Sequence, residues 1–198
     1  MNLQKAYDEM KNAAFKILDE ERYAHSINVE NEAVKLSNIY NVDAEKCRFA
    51  AIAHDYAKAM SDCELINCSE KYEIQTDTIQ RNFPQLLHGP VAAMYCKNIM
   101  GIDDEDIINA IYYHTTGREN MSLLEKIIYI ADVIEVGRDF PGIDDIREKA
   151  LVDIDNAILL SCNSTISYVI ARNFLIHPLT IALRNSIILK GGVRNGKA

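Results

Sequence analysis

His54 and Asp55 stand side by side in an alanine-rich segment, residues 50–57, which otherwise has the composition of a buried helix. A carboxylate buried without a partner is costly, so the pair requires an explanation. Imidazole nitrogen and carboxylate oxygen are both suited to binding a divalent cation. The structural alternative is an ion pair between Asp55 and Lys58, which follows three residues later on the same helix.

Asp132 repeats this anomaly, because it interrupts the apolar run 127–134 in a second helix of buried character. Taken alone, a buried histidine such as His25 is more often a hydrogen-bonded core residue than a ligand. Together with the pair, however, these residues form a compact set that would bind one metal ion. Mixed imidazole and carboxylate ligands suit iron, manganese or cobalt better than a thiolate-bound structural zinc. The predicted metal ligands are His25, His54, Asp55 and Asp132.

Two more histidines lie at predicted helix ends, where side chains can reach a cleft. His88 stands at a helix start and His114 at a helix end, and they would bind either a second cation or a substrate phosphate. Arg118 and Arg138 lie in glycine-containing loops beside these motifs, and arginine can bind phosphate in a bidentate manner. For either arginine alone, a solvated surface charge is the more ordinary interpretation.

Composition and absent motifs exclude several classes of protein. The formal charge of −8 argues against a nucleic-acid groove and against binding to an anionic membrane surface. Paired Glu-x-x-His motifs, His-Glu-x-x-His, the phosphate-binding motif Gly-x-x-x-x-Gly-Lys-Ser/Thr and Gly-x-Ser-x-Gly are all missing. The five cysteines form no Cys-x-x-Cys motif, and the N-terminus is polar. We therefore expect reduced thiols, no signal peptide and a cytoplasmic location.

Apolar residues recur at three- and four-residue spacing along most of the chain, and no stretch alternates convincingly with period two. This pattern predicts one all-α domain over residues 1–190, followed by a disordered tail, 191–198. Asp43, Asp103 or Asp104, and Ser122 are expected to cap helices. Helices are predicted at about 3–18, 23–40, 44 to beyond 55, 90–100, 104–114, 123–135, 153–175 and 179–189, with short helices and loops over 61–86.

Five ordered blocks of residues run through the chain. They are Arg22-x-x-His25-Ser26, His54-Asp55-x-x-Lys58, Leu87-His88-Gly89, His114-Thr115-Thr116-Gly117-Arg118 and Tyr129-Ile130-Ala131-Asp132-x-Ile134-Glu135-x-x-Arg138. Together they resemble the HD-domain superfamily of metal-dependent phosphohydrolases. Within it, the chain is most similar to the bacterial YqeK-type symmetrical diadenosine-tetraphosphate hydrolases, and residues 173–185 also fit. One departure is Val136, where that family more often has proline.

The resemblance implies a helical bundle with its metal and nucleotide site between helices, and cleavage of diadenosine tetraphosphate to two ADP. Iron is the implied metal, with manganese or cobalt as alternatives and with one or two ions. The residues expected to be catalytic are Asp55, Lys58, His88 and His114. Those expected on the substrate side are Arg22, Lys58, His88, His114, Thr115, Arg138, Asn173, His177 and Pro178.

The expected partner is therefore a small nucleotide, with no nucleic acid and no membrane, and a homodimer is left open. Two alternatives from other classes remain. One is an HD-type phosphohydrolase acting on a different nucleotide. The other is a non-catalytic sensor that binds ADP in the same pocket.

Overall fold

The computed structural model describes residues 2–191, and this part of the chain contains helices and no β-strand. The predicted all-α fold is confirmed. The helices are α1 (Leu3–Ile17), α2 (Glu20–Tyr40), α3 (Ala44–Ala53), α4 (Asp62–Lys71), α5 (Thr78–Asn82), α6 (His88–Asn98), α7 (Glu105–Tyr113), α8 (Leu123–Ile134), α9 (Ile143–Ala150), α10 (Ile154–Ala171) and α11 (Pro178–Lys190), with a 3-10 helix at Pro84–Leu87. The predicted tail, beyond Gly191, lies outside the described residues.

Side-chain caps set several of the helix starts. The Asp43 carboxylate accepts hydrogen bonds from the first N–H groups of α3, and Asp104 does the same for α7. Ser122 and Glu125 form a reciprocal capping box at the start of α8. These caps agree with the sequence-based prediction. Asp19 caps α2 in the same way and starts that helix three residues before the predicted position.

Helix α3 lies at the centre of the domain and packs against α1, α2, α7 and α8. Its alanines at positions 50, 51 and 53 are fully buried, and their small side chains let the neighbouring helices approach closely. The helix ends at Ala53, earlier than predicted, because the chain tightens into successive three-residue turns over 54–60. His54 and Asp55 therefore lie at the end of a buried helix and not within it.

Two further helices differ from the prediction. Helix α9 was not predicted, because only Ile143, Ile146 and Ala150 carry an apolar pattern within a mostly charged segment; these three are buried and α9 packs on α10. Helix α10 ends at Ala171 because Asn173 adopts a left-handed conformation, with φ of 55°. In residues 2–191, no helix has the length and apolar character needed to cross a membrane. All five cysteines are free thiols.

Candidate metal centre

The predicted histidines and aspartates converge from five helices. His25 comes from α2, His54 and Asp55 follow α3, and Asp132 belongs to α8. His88 begins α6 and His114 follows α7. Imidazole rings of neighbouring members lie close together, with centroids 5.4 Å apart for His25 and His54, 4.9 Å for His54 and His114, and 4.8 Å for His88 and His114. The sequence therefore identified six groups that the fold brings into one cluster.

Backbone carbonyls fix the orientation of three of these rings. The Nδ1 atoms of His54, His88 and His114 each lie within hydrogen-bond distance of the carbonyl oxygen three residues earlier in the chain. A carbonyl oxygen can only accept, so Nδ1 carries the proton, and in the neutral ring Nε2 then presents a lone pair. The Nδ1–O distances are 2.6 Å for His54 and 2.8 Å for His114. This arrangement is typical of metal-binding histidines.

Acceptor atoms face one another at the centre of the cluster. His88 Nε2 lies 2.9 Å from His114 Nε2, and both rings already use their protons on the backbone. Asp55 Oδ1 lies 3.1 Å from the first of these nitrogens and 3.6 Å from the second. The Thr115 hydroxyl, within 3.2 Å of both nitrogens, has a single proton to donate. These lone pairs converge on one point, which suits a cation.

On the other side of Asp55, a second group of nitrogen and oxygen atoms converges. His54 Nε2 is fully buried, has no hydrogen-bond partner, and lies 3.8 Å from Asp55 Oδ2. His25 Nε2 lies 3.1 Å from Asp132 Oδ1 but is not aligned for a hydrogen bond. Ligand atoms of His25, His54 and Asp55 fall within 4.8 Å of one another, as do those of His54, His114 and Asp132. An orphaned buried nitrogen among carboxylates fits a divalent metal ion.

The protonation states agree with this interpretation. Burial lowers the pKa of His54 to about 4, so the ring is neutral at neutral pH. Burial alone would raise the pKa of Asp55, but the adjoining histidines outweigh it and hold that pKa well below its usual range. Burial is likewise outweighed at Asp132, where the close imidazole of His25, with Nε2 3.1 Å from Oδ1, and that of His54 lower the pKa of the carboxyl. The centre therefore combines a neutral His54 ring with ionised carboxylates.

A cavity of about 510 Å³ opens above the cluster, and three cations stand in its wall. Arg138 donates from Nη2 to Asp132 Oδ1 at 2.7 Å, while Arg22 and Lys58 line the cavity nearby. In the described residues Lys58 forms no ion pair with Asp55; its Nζ lies 3.4 Å from His88 Nδ1. The alternative explanation of the His54-Asp55 pair is therefore wrong.

Comparisons with known proteins agree with this geometry. The model of the HD domain matches residues 22–137, a range that contains the whole cluster. The chain is 42% identical to a symmetrical bis(5'-nucleosyl)-tetraphosphatase of Halalkalibacterium halodurans over 87% of this chain and 92% of that protein. It is 38% identical to the enzyme of that name from Bacillus subtilis over 86% and 91%. The chain belongs to this HD-domain family.

A solved structure gives the same result for the fold. The crystal structure of a Clostridium acetobutylicum protein, described as a predicted HD superfamily hydrolase involved in NAD metabolism, matches with a TM-score of 0.90. The two chains are 43% identical, and the match covers 93% of this chain and 97% of that one. The family resemblance and the HD-domain architecture inferred from the sequence are therefore confirmed.

The remaining predicted residues of this HD domain lie in different surroundings. Arg118 is outside the cavity wall, where it forms a bidentate ion pair with the buried Glu125, at 2.7 and 2.8 Å. Asn173 and His177 line a second cavity, of about 460 Å³, and Thr115 lines both cavities. Pro178 is the first residue of α11 and is exposed.

Sequence reasoning missed Glu135 as a site residue of the HD domain. This buried carboxylate lies 3.3 Å from His25 Nδ1 through Oε1 and accepts from the Gly137 N–H through Oε2. It thereby fixes the one ring of the cluster that no backbone carbonyl orients. Its signal in the sequence was weak but real, because an acidic residue at the C-terminal end of an apolar helix opposes the helix dipole.

Proposed function

We propose that this protein hydrolyses diadenosine tetraphosphate and related dinucleoside polyphosphates to two ADP at a divalent metal centre. The observation that carries the proposal is the double convergence of lone pairs on either side of Asp55, beneath a cavity with cations in its wall. The two relatives named for this reaction match over nearly their whole lengths. Arg22, Lys58 and Arg138 in the cavity wall can contact anionic phosphates, and a bound divalent metal would offset the carboxylates that line the same cavity.

The geometry supports two cation positions. His25, His54 and Asp132, with Oδ2 of Asp55, would hold one ion. His88 and His114, with Oδ1 of Asp55, would hold a second. We propose iron as the metal, because the ligands mix imidazole with carboxylate and include no thiolate; manganese and cobalt accept the same ligands.

The residues of this chain would position substrate and water for the reaction. A bound divalent cation supplies Lewis acidity, which lowers the pKa of a water toward neutrality and polarises phosphoryl oxygens. Asp55, as a carboxylate between the two histidine groups, accepts a hydrogen bond from the attacking water and orients it. Water adds to one inner phosphorus, the bond to the bridging oxygen breaks, and that oxygen leaves with the second ADP.

Charge neutralisation falls to the residues of the cavity wall. Lys58, Arg22 and Arg138 offset the charge of the four phosphates and of the departing ADP. Thr115 faces the same cavity and contacts the phosphate chain, and His88 and His114, which also line it, would contact the phosphates if they hold no second ion. Phosphoryl transfer depends mainly on this kind of positioning and electrostatic stabilisation.

The loop between α10 and α11 would close the nucleotide side of the site. Asn173 and His177 both line the second cavity, which supports this placement. His177 Nδ1 accepts from the Leu179 N–H, and its Nε2 lies 3.0 Å from Asp77 Oδ2. We infer that His177 and the adjoining Pro178 act by holding the loop in place.

The test is product analysis with defined metals. Metal-free protein is reloaded with Fe(II) without oxygen, with Mn(II) or with Co(II), and given diadenosine tetraphosphate. ADP as the only nucleotide product supports the proposal, whereas AMP with ATP excludes symmetrical cleavage. Turnover confined to other nucleotides would assign a different phosphohydrolase activity. Tight ADP binding without any turnover would assign the sensor function.

Metal content and assembly are measured on the same preparation. Elemental analysis of protein purified without oxygen reports the metal and the number of ions per chain. Sedimentation analysis reports whether the protein is a homodimer. We also propose a cytoplasmic location, which is supported by the free cysteines.

A further inference from the structure

Arg147, on α9, binds the chain at the point where α8 ends. Its Nε donates to the carbonyl oxygen of Ile134 at 3.0 Å, and its Nη2 donates to those of Glu135 and Arg138 at 3.0 and 2.9 Å. Ile134 is the last residue of α8, and the carbonyls of a helix end have no partner within the helix. One guanidinium therefore closes the end of α8 and binds both ends of the turn 135–138.

This turn carries two groups that contact the metal cluster. Glu135 Oε1 lies 3.3 Å from His25 Nδ1. Arg138 donates to the carbonyl oxygen of Asp132 at 3.1 Å and to its Oδ1 at 2.7 Å. The Arg138 N–H also donates to the Glu135 carbonyl oxygen at 3.0 Å, so the two residues are joined through the backbone. The position of the turn therefore sets the positions of both side chains.

The Glu135 carboxylate fits closely into this turn. Its Oε2 accepts from the Gly137 N–H at 2.6 Å, and a Cβ added at Gly137 would lie only 3.0 Å from Oε1. The side chain of Val136 is 76% exposed, so it contributes little packing to the turn. In the described part of the chain, Arg147 is the one side chain that donates to backbone carbonyls of residues 134–138. A shift of the turn would therefore move the carboxylate relative to His25.

We propose that Arg147 is a positioning residue of this site, which holds Glu135 against the His25 ring and Arg138 beside the phosphates. Arg147 itself lines neither cavity, so it acts through these two residues. The inference rests on the proposed function, since it takes a metal ion and a phosphate chain as the ligands of the first cavity. A residue in this role changes metal affinity and phosphate affinity together, although it contacts neither ligand.

The experiment measures two affinities of Arg147→Met, a variant that keeps a long side chain and removes every donor. Mn(II) binding is followed by electron paramagnetic resonance, and inorganic pyrophosphate binding by titration calorimetry at saturating Mn(II). Loss of a group that orients a metal-binding histidine commonly weakens the metal roughly tenfold or more, so loss of Arg147, one contact further out, should raise the Kd for Mn(II) about fivefold. The Kd for pyrophosphate should rise about threefold, a size typical of residues coupled in one network.

Double-mutant cycles test whether Arg147 acts through the two residues of the turn. In Glu135→Gln protein, adding Arg147→Met should change the Kd for Mn(II) by less than about twofold. In Arg138→Ala protein, the same addition should leave the Kd for pyrophosphate unchanged. Additive effects in either pair would overturn the assignment through that residue. Unchanged affinities in folded Arg147→Met protein would overturn the whole inference.

Two other residues of α9 supply matched controls. Asp144→Asn weakens the contact with Arg147 Nη1, 3.3 Å away, and leaves the three carbonyl contacts in place. Ile146→Val removes one methyl group from a buried position and should lower only the stability. Both variants should keep the wild-type Kd values. If Ile146→Val weakened both ligands as much as Arg147→Met does, packing of α9 would explain the effect and the inference would be wrong.

Arg147→Lys is the second variant, for use if Arg147→Met does not fold. It keeps the charge and loses the planar fork, so it should show the same two shifts at smaller size. Because both constants are measured without turnover, absence of wild-type hydrolysis would count against the proposed function alone.

Discussion

Helix α2 contributes to two clusters of buried charge. They differ in whether the number of hydrogen-bond donors matches the number of acceptors. In the first, Glu30 accepts from the Tyr7 hydroxyl at 2.7 Å, from Arg48 Nε at 3.1 Å and from Lys11 Nζ at 3.4 Å. Lys11 also donates to the Tyr7 oxygen at 2.7 Å, and Arg48 lies over the Tyr7 ring. The protein supplies a donor for each acceptor in this cluster.

The second cluster, around His25 five residues earlier on the same helix, is different. Its ring protons are used on backbone carbonyls or on Glu135, and its inward-facing atoms are nearly all acceptors. His54 Nε2 has no partner at all. Buried polar atoms are normally satisfied, so an excess of acceptors identifies a place where a cation belongs. The balance between hydrogen-bond donors and acceptors therefore distinguishes a structural ion network from a metal site better than burial or charge does.

The largest expected effect comes from Asp55→Asn. We expect hydrolysis to fall by about a thousandfold or more, because both cation positions lose a carboxylate oxygen. The metal-free variant should be at least as stable as the metal-free wild type, since the amide can donate to His88 or His114. Product assays and urea unfolding with a chelator measure the two effects. Near-normal turnover, or a clear loss of metal-free stability, would contradict the interpretation of the His25 cluster as an acceptor-rich metal site.

Glu30→Ala tests the balanced cluster. It leaves Lys11 and Arg48 without their carboxylate, so we expect unfolding to become easier by about 3 kcal/mol. This is the low end for a buried pair, because both cations are partly solvated. Metal content and kcat should stay near wild type. Loss of bound metal in a folded Glu30→Ala protein would show that the two clusters are coupled through α2.

The sequence revealed the metal cluster because charged residues interrupt apolar helices, as Asp132 does in α8 and the His54-Asp55 pair does after α3. Helices whose apolar residues recur clearly at three- and four-residue spacing were predicted equally well. Helix α9 was not, because three apolar residues in a charged segment give little periodicity. The contact between His25 and Glu135 was also out of reach, since the two residues lie 110 positions apart and only tertiary structure joins them.

Glu135→Gln tests whether the orientation of the His25 ring affects the metal affinity of the centre. The carboxylate near His25 Nδ1 would be replaced by a weaker acceptor, so we expect metal affinity to fall about tenfold. Glu125→Gln is the matched control, since this glutamate, in the first turn of α8, is also buried but pairs with Arg118 instead of a cluster histidine. That variant should lose stability and keep its metal affinity. Equal metal loss in both variants would mean that α8 stability, and not ring orientation, controls binding.

The smallest expected effect separates the two arginines. Arg138 lines the phosphate cavity and pairs with Asp132, whereas Arg118 pairs with Glu125 outside it. Arg138→Lys keeps the charge but removes the planar fork, so we expect a KM increase of roughly fivefold, about 1 kcal/mol, with kcat nearly unchanged. Arg118→Lys should leave KM unchanged and cost only stability. If both variants shifted KM equally, net positive charge near the cavity would explain substrate binding and the contact assigned to Arg138 would be wrong.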